Sequence, residues 1–140
     1  MADIVIALAK KYQIPAIRLP LQGLRTLKWR NSVMAGVMLP WVIRLQKKLR
    51  QSGIAHNQEI FGLYESGAML ENTWLRLIPQ LRPGVTEIFC HPAAKKISHL
   101  AEIPSSYHHE AEFEALISLK VKDRLKQDNI KLTCFAEMTG

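Results

Sequence analysis

His91 stands at the end of the apolar run Val85-Thr86-Glu87-Ile88-Phe89-Cys90, with Pro92 directly after it. A following proline biases a residue towards extended backbone, so the run reads as a strand that delivers an imidazole at its C-terminal end. Imidazole suits general acid and base work near neutral pH. In parallel α/β folds the reactive groups collect at that end of the strands. The same rule selects Arg18, just before Pro20 in the run Ile14-Pro15-Ala16-Ile17-Arg18-Leu19-Pro20, and Glu65 or Ser66 after an extended stretch at 58–64. Composition alone favours a simpler role for His91, a hydrogen bond at the start of a loop.

Spacing argues against other chemistries. The five histidines, His56, His91, His99, His108 and His109, form no HxH or HExxH pair, and adjacent His108 and His109 diverge on a helix. Zinc needs three or four convergent ligands, so no metal is expected to bind this chain alone. The sequence carries no GxSxG elbow, phosphate-cradling glycine loop or dinucleotide fingerprint.

The elements that must position these residues alternate. A helix is expected over 2–12, with Ile4, Val5, Leu8 and Ala9 at helical spacing, then a strand over 14–20 bracketed by prolines. A second helix runs from Asn31 or Ser32 to about Gln51, with Val33, Val37, Trp41, Leu45 and Leu49 on one stripe, Pro40 kinking or dividing it, and Gly53 as its stop. A third opens at Glu65-Ser66-Gly67 and carries Leu70, Trp74, Leu77, Ile78 and Leu81 until Arg82-Pro83-Gly84. After the strand at 85–92 and a loop over 93–107, a last helix places Phe113, Leu116, Ile117, Val121 and Leu125 on one face. Asp128-Asn129 then turns the chain into a final strand at 131–136. Such alternation predicts a single α/β domain over 1–140 with about four βα units and parallel strands.

The net charge of +7 is uneven: residues 1–50 carry ten Lys/Arg against one acid, Asp3, while 51–140 carry nine against eleven. A solvated helical face accounts for this, and contact with an anionic membrane surface or an acidic partner is the weaker alternative. No aromatic platform, zinc finger or helix-turn-helix accompanies the basic residues, so nucleic acid is not an expected partner. Cys90 and Cys134 lie in apolar runs without CxxC spacing, which predicts buried free thiols in a reducing, cytoplasmic setting. The N-terminus has no signal-peptide pattern, and the longest apolar stretch, 33–43, is too short to span a bilayer and contains Pro40.

Taken together, three segments resemble the YdjC-like carbohydrate deacetylases, a family that includes chitooligosaccharide and hopanoid-biosynthesis-associated enzymes. They are Ile14-Pro15-Ala16-Ile17-Arg18-Leu19-Pro20, Phe61-Gly62-Leu63-Tyr64-Glu65-Ser66-Gly67 and Pro83-Gly84-Val85-Thr86-Glu87-Ile88-Phe89-Cys90-His91-Pro92. Tyr107 to Glu112 with Leu116, and Asp128-Asn129-Ile130-Lys131-Leu132, extend the match through the last helix and strand. The resemblance implies the C-terminal half of a (β/α) barrel-like fold, and hydrolysis of the acetamide of an N-acetylated sugar with a divalent metal, magnesium or zinc. It also implies that the metal ligands, paired aspartates and histidines, belong to an N-terminal half whose motifs do not occur in this sequence. The expected partners are therefore the sugar and either that half or a second copy of the chain. By the same resemblance His91 protonates the leaving amine, Arg18 orients the catalytic aspartate, and Glu65 and Ser66 line the sugar pocket. Asn57 departs from it, standing near an expected aspartate. The alternative is a non-catalytic glycan-binding, membrane-surface or partner-binding remnant.

Overall fold

The computed structural model describes residues 2–22, 29–94 and 106–138. Among them are five α-helices, α1 (Ala2–Lys11), α2 (Trp29–Ser52), α3 (Glu71–Leu77), α4 (His109–Ile117) and α5 (Leu119–Gln127), and two strands, β1 (Glu59–Phe61) and β2 (Thr86–Ile88). The strands pair as a small parallel sheet. The mixed α/β class is as expected, but the described residues hold two strands and one isolated bridge instead of four strands. The chain divides into two compact units: Met1–Ile60 with Pro83–Glu87 and Leu132–Gly140, and Phe61–Arg82 with Ile88–Lys131.

In the first unit α1 packs on α2 around Ala9, Leu19, Val42, Leu49 and Ile54. Of the expected α1 stripe only Ala9 is buried, while Ile4, Val5 and Leu8 face outward. Asp3 pairs with Lys48 of α2, and that hydrogen bond and charge hold its carboxyl below the usual range. The α2 stripe is also corrected. Leu45 and Leu49 pack inward with Val42, but Val37 and Trp41 are 56% and 63% exposed, and the side chain of Val33 lies outside the described residues. The helix runs through Pro40 undivided, with the proline on its exposed side. It ends as expected at Gly53, whose φ of 68° lets Ile54 N–H reach back to the Leu49 carbonyl.

The expected strand at 14–20 is only a partial ladder. Ala16 bridges Ala55 in parallel, Ile17 N–H donates to Ala55, and Ile60 N–H donates to Leu21. Between these bonds the side chain of Asn57 replaces the ladder. It accepts from Leu19 N–H at 2.6 Å and donates to the Leu19 and Glu59 carbonyls at 2.8 and 3.1 Å. The expected strand at 131–136 does not form. Among the described residues nothing pairs with it, a short 3-10 turn occupies Phe135–Glu137, and Leu132 and Cys134 are exposed. A strand is defined by its partner, so an apolar run alone does not make one. Cys134 is thereby exposed, against expectation.

The second unit is built around Phe61, Met69, Trp74, Leu77, Ile78, Ala115 and Val121. The third helix begins later than expected: residues 62–67 are turns, and α3 starts at Glu71. Pro79, which has no N–H, tightens its end into a 3-10 turn over Ile78–Gln80. The expected single last helix is two, broken at Ser118 (ψ 130°), which leaves Ile117 52% exposed. Ser118 Oγ accepts from Val121 N–H at the start of α5 and donates to Glu71 Oε2 at 2.6 Å. Lys120 adds a charge to the same carboxyl, and Glu71 is held below its usual range by the Ser118 hydroxyl first and Lys120 second. A carboxyl lowered in the folded state contributes stability at neutral pH that is lost as pH falls through its folded value. Ser118→Ala is expected to destabilise the protein by about 1–2 kcal/mol through the lost cap and hydrogen bond. Urea unfolding checks this, and an unchanged midpoint would refute it. Among the described residues no helix is long and apolar enough to cross a membrane.

Candidate active site

β2 ends at Ile88, and Phe89 N–H makes one more bond, to the Phe61 carbonyl. That approach requires glycine next to Phe61. Gly62 has φ 95°, and a Cβ there would lie 2.1 Å from the Phe89 carbonyl oxygen. The chain then leaves the sheet, so His91 is held by other groups. His91 N–H donates to Glu112 Oε2 at 2.5 Å, and the His91 carbonyl accepts from His109 Nδ1. The half-buried His91 imidazole lies edge-on to Phe89 (centroids 4.6 Å apart, 84°) and beside the tilted ring of Tyr107 (5.4 Å). Its ring nitrogens have no hydrogen-bond partner among the described residues.

The turn that carries Glu65 and Ser66 is fastened to the same region. Ser66 Oγ and Tyr107 Oη are 2.9 Å apart, and His108 N–H donates to the Gly67 carbonyl. Gly67 (φ 80°) lies against the Tyr107 ring, whose carbons a Cβ would meet at 2.6 Å. Tyr107 therefore joins Ser66 to His91, with its ring continuing to His109 at 5.5 Å. Glu65 is half-buried in the same turn.

Glu112 is fully buried, and besides His91 it accepts from Met69 N–H at 2.9 Å. Burial, and secondarily the charge of Glu112, push the Cys90 thiol up. A thiol kept protonated is a poor nucleophile, which leaves the imidazole as the reactive group here. In the first unit Arg18 grips Glu87 with both ends of its guanidinium, Nε to Oε2 at 2.9 Å and the other nitrogen to Oε1. A two-point fork fixes the plane of an arginine more firmly than a single contact.

Sequence reasoning missed Tyr107, Glu112, His109 and Glu87. Signals were present for the two acids: Glu112 interrupts an otherwise core-facing series with Ala115 and Leu116, and Glu87 interrupts the apolar run that ends at His91. Tyr107 and His109 lie in the segment that extends the family resemblance, but nothing in their spacing places them beside His91. Among the described residues no three His, Cys, Asp or Glu side chains converge as a metal site, and His99 lies outside the described residues. These residues do not fit the divalent metal that the sequence resemblance implies.

The chain is similar to a crystallised Enterococcus faecalis V583 protein named as a candidate cellobiose-phosphate cleavage protein. The two share 21% identity with a TM-score of 0.64, over 99% of this chain and 47% of that one. At that identity the likeness shows the fold, and the chain spans about half the length of its structural relative. No curated protein matches the sequence significantly. The model of the YdjC-like protein family matches residues 1–127, nearly the whole chain, and the chain therefore belongs to the YdjC-like family.

Proposed function

We propose that this chain is the acid-supplying part of a metal-dependent carbohydrate N-deacetylase, acting on the acetamide of a chitooligosaccharide or a hopanoid-linked amino sugar. The observation that supports this most is His91, whose backbone is held on both sides while no described residue hydrogen-bonds its ring nitrogens. Hydrolysis breaks the bond between the acetyl carbon and the sugar nitrogen, and that nitrogen must take a proton to leave as an amine. On this reading His91 gives the proton, the Ser66–Tyr107 pair and Glu65 face the sugar, and Arg18, oriented by Glu87, steadies a carboxylate of the other half of the fold. The metal's ligands lie outside this chain, and the remaining half of the fold is the expected partner. The exposed apolar residues of α1 and α2, Ile4, Leu8, Val37 and Trp41, offer that half a surface.

The test is metal-dependent acetate release from N-acetylglucosamine oligomers. The chain is assayed alone and again with an N-terminal half borrowed from a family member. Release only in the complemented sample is expected. Glycan binding without hydrolysis at every metal concentration, in well-folded complemented protein, would defeat the proposal and favour a binding module.

A further inference from the structure

We infer that Glu112 is a positioning residue that sets the direction of His91 through the main chain, an inference that rests on His91 being the proton donor. A fully buried carboxylate is costly unless its oxygens are satisfied. Here two N–H groups satisfy them: Oε1 takes Met69 and Oε2 takes His91. No Lys or Arg is paired with it among the described residues. The arrangement links the turn after Gly67, the segment beyond β2 and the first turns of α4.

His91 needs such a link because it lies past the last ladder bond, at Phe89, and Pro92 offers no N–H of its own. His109 and Glu112, three residues apart, share one face of α4. From that face His109 takes the His91 carbonyl and Glu112 takes its N–H, while the His109 carbonyl accepts from Ala93 N–H at 3.1 Å. The main chain that carries the imidazole is thus held by α4, while Phe89 and Tyr107 flank the ring. A glutamine at 112 would keep the volume but replace one acceptor by an amide N–H, facing an N–H donor. An aspartate would keep both acceptors, one methylene short.

The experiment follows the histidine side-chain and backbone resonances of the chain by NMR in wild type, Glu112→Gln and Glu112→Asp. In wild type the His91 amide is expected downfield and exchanging slowly. Glu112→Gln moves that amide upfield and shifts or broadens the His91 ring signals, leaving His56 unchanged, and Glu112→Asp restores part of the wild-type pattern. In the complemented enzyme Glu112→Gln is expected to lower kcat about 100-fold at unchanged KM, the scale of a misplaced reactive group. A His91 ring unaffected by Glu112→Gln would overturn the inference, as would a wild-type His91 amide exchanging as fast as an exposed loop, a measurement that needs no variant to fold. Loss of the ring effect separates from failure of the deacetylase reading, which instead appears as His91→Ala retaining full kcat while the Glu112 effects on the His91 signals persist.

Discussion

In the complemented enzyme, His91→Ala is expected to reduce acetate release by about 100- to 10,000-fold, the usual worth of a positioned general acid. The fold should tolerate the change. The ring is half-buried and its specific contacts are edge-on to Phe89 and tilted against Tyr107, pairs worth about 0.5–1.5 kcal/mol each. The loss should therefore fall on kcat, with the unfolding midpoint only slightly lowered. Leaving-group dependence makes the prediction sharper. An amine cannot depart without a proton, whereas a phenolate can, so an aryl acetate should be hydrolysed by the variant within about tenfold of wild type. Rate measurements on both substrates decide it. Equal losses on amide and ester would show that His91 acts in something other than protonation of the leaving group. A variant with full activity on the amide would remove it from the mechanism.

The largest stability effect is expected at Asn57. Its side chain is fully buried and uses its oxygen and both amide hydrogens where the ladder between 16–21 and 55–60 is interrupted. Asn57→Ala leaves the Leu19 N–H and carbonyl without partners and should cost about 2–4 kcal/mol. Asn57→Asp, the residue expected from the family resemblance, should cost at least as much at neutral pH. A carboxylate can still accept from Leu19 N–H, but it would face the Leu19 and Glu59 carbonyls with no hydrogen to offer them. Burial and those carbonyls would raise the folded pKa of the new carboxyl above its unfolded value. A raised group contributes stability below its unfolded pKa and loses it as pH rises through the folded one. The Asn57→Asp protein should therefore approach wild-type stability in mild acid and fall away towards pH 8. Urea unfolding at pH 4.5 and 7.5 measures this. An identical deficit at both values would refute the account. The consequence for the site is local to the first unit, because Leu19 follows Arg18 and the Asn57 amide fixes the backbone that presents the guanidinium to Glu87.

Both cases show a carboxylate or amide side chain doing what a backbone ladder does elsewhere. Asn57 stands in for strand pairing beside Arg18, and Glu112 stands in for it beside His91. Each sits where the sheet ends and main-chain groups still need partners. Such residues do not stand out in a pattern of apolar spacing, because their value depends on which main-chain groups lie opposite them.

Much of the local structure was legible in the sequence. The span of α1, the stop at Gly53, the buried Trp74, Leu77 and Ile78, and the delivery of His91 past a strand all follow from spacing and from glycine and proline chemistry. Those are short-range properties, set by steric and hydrogen-bonding limits within a few residues. Family membership was legible too, since ordered motifs such as Glu87-x-x-Cys90-His91-Pro92 survive as sequence. Only the tertiary structure decided which face of α2 is covered, that the helix breaks at Ser118, that residues 131–136 form no strand, and that Glu112, His109 and Tyr107 surround His91. Periodicity states which side chains share a face, but burial and pairing depend on what the rest of the chain brings against that face. Those partners lie far along the chain, 18 residues away for His109 and His91, 21 for Glu112 and His91 and 43 for Glu112 and Met69.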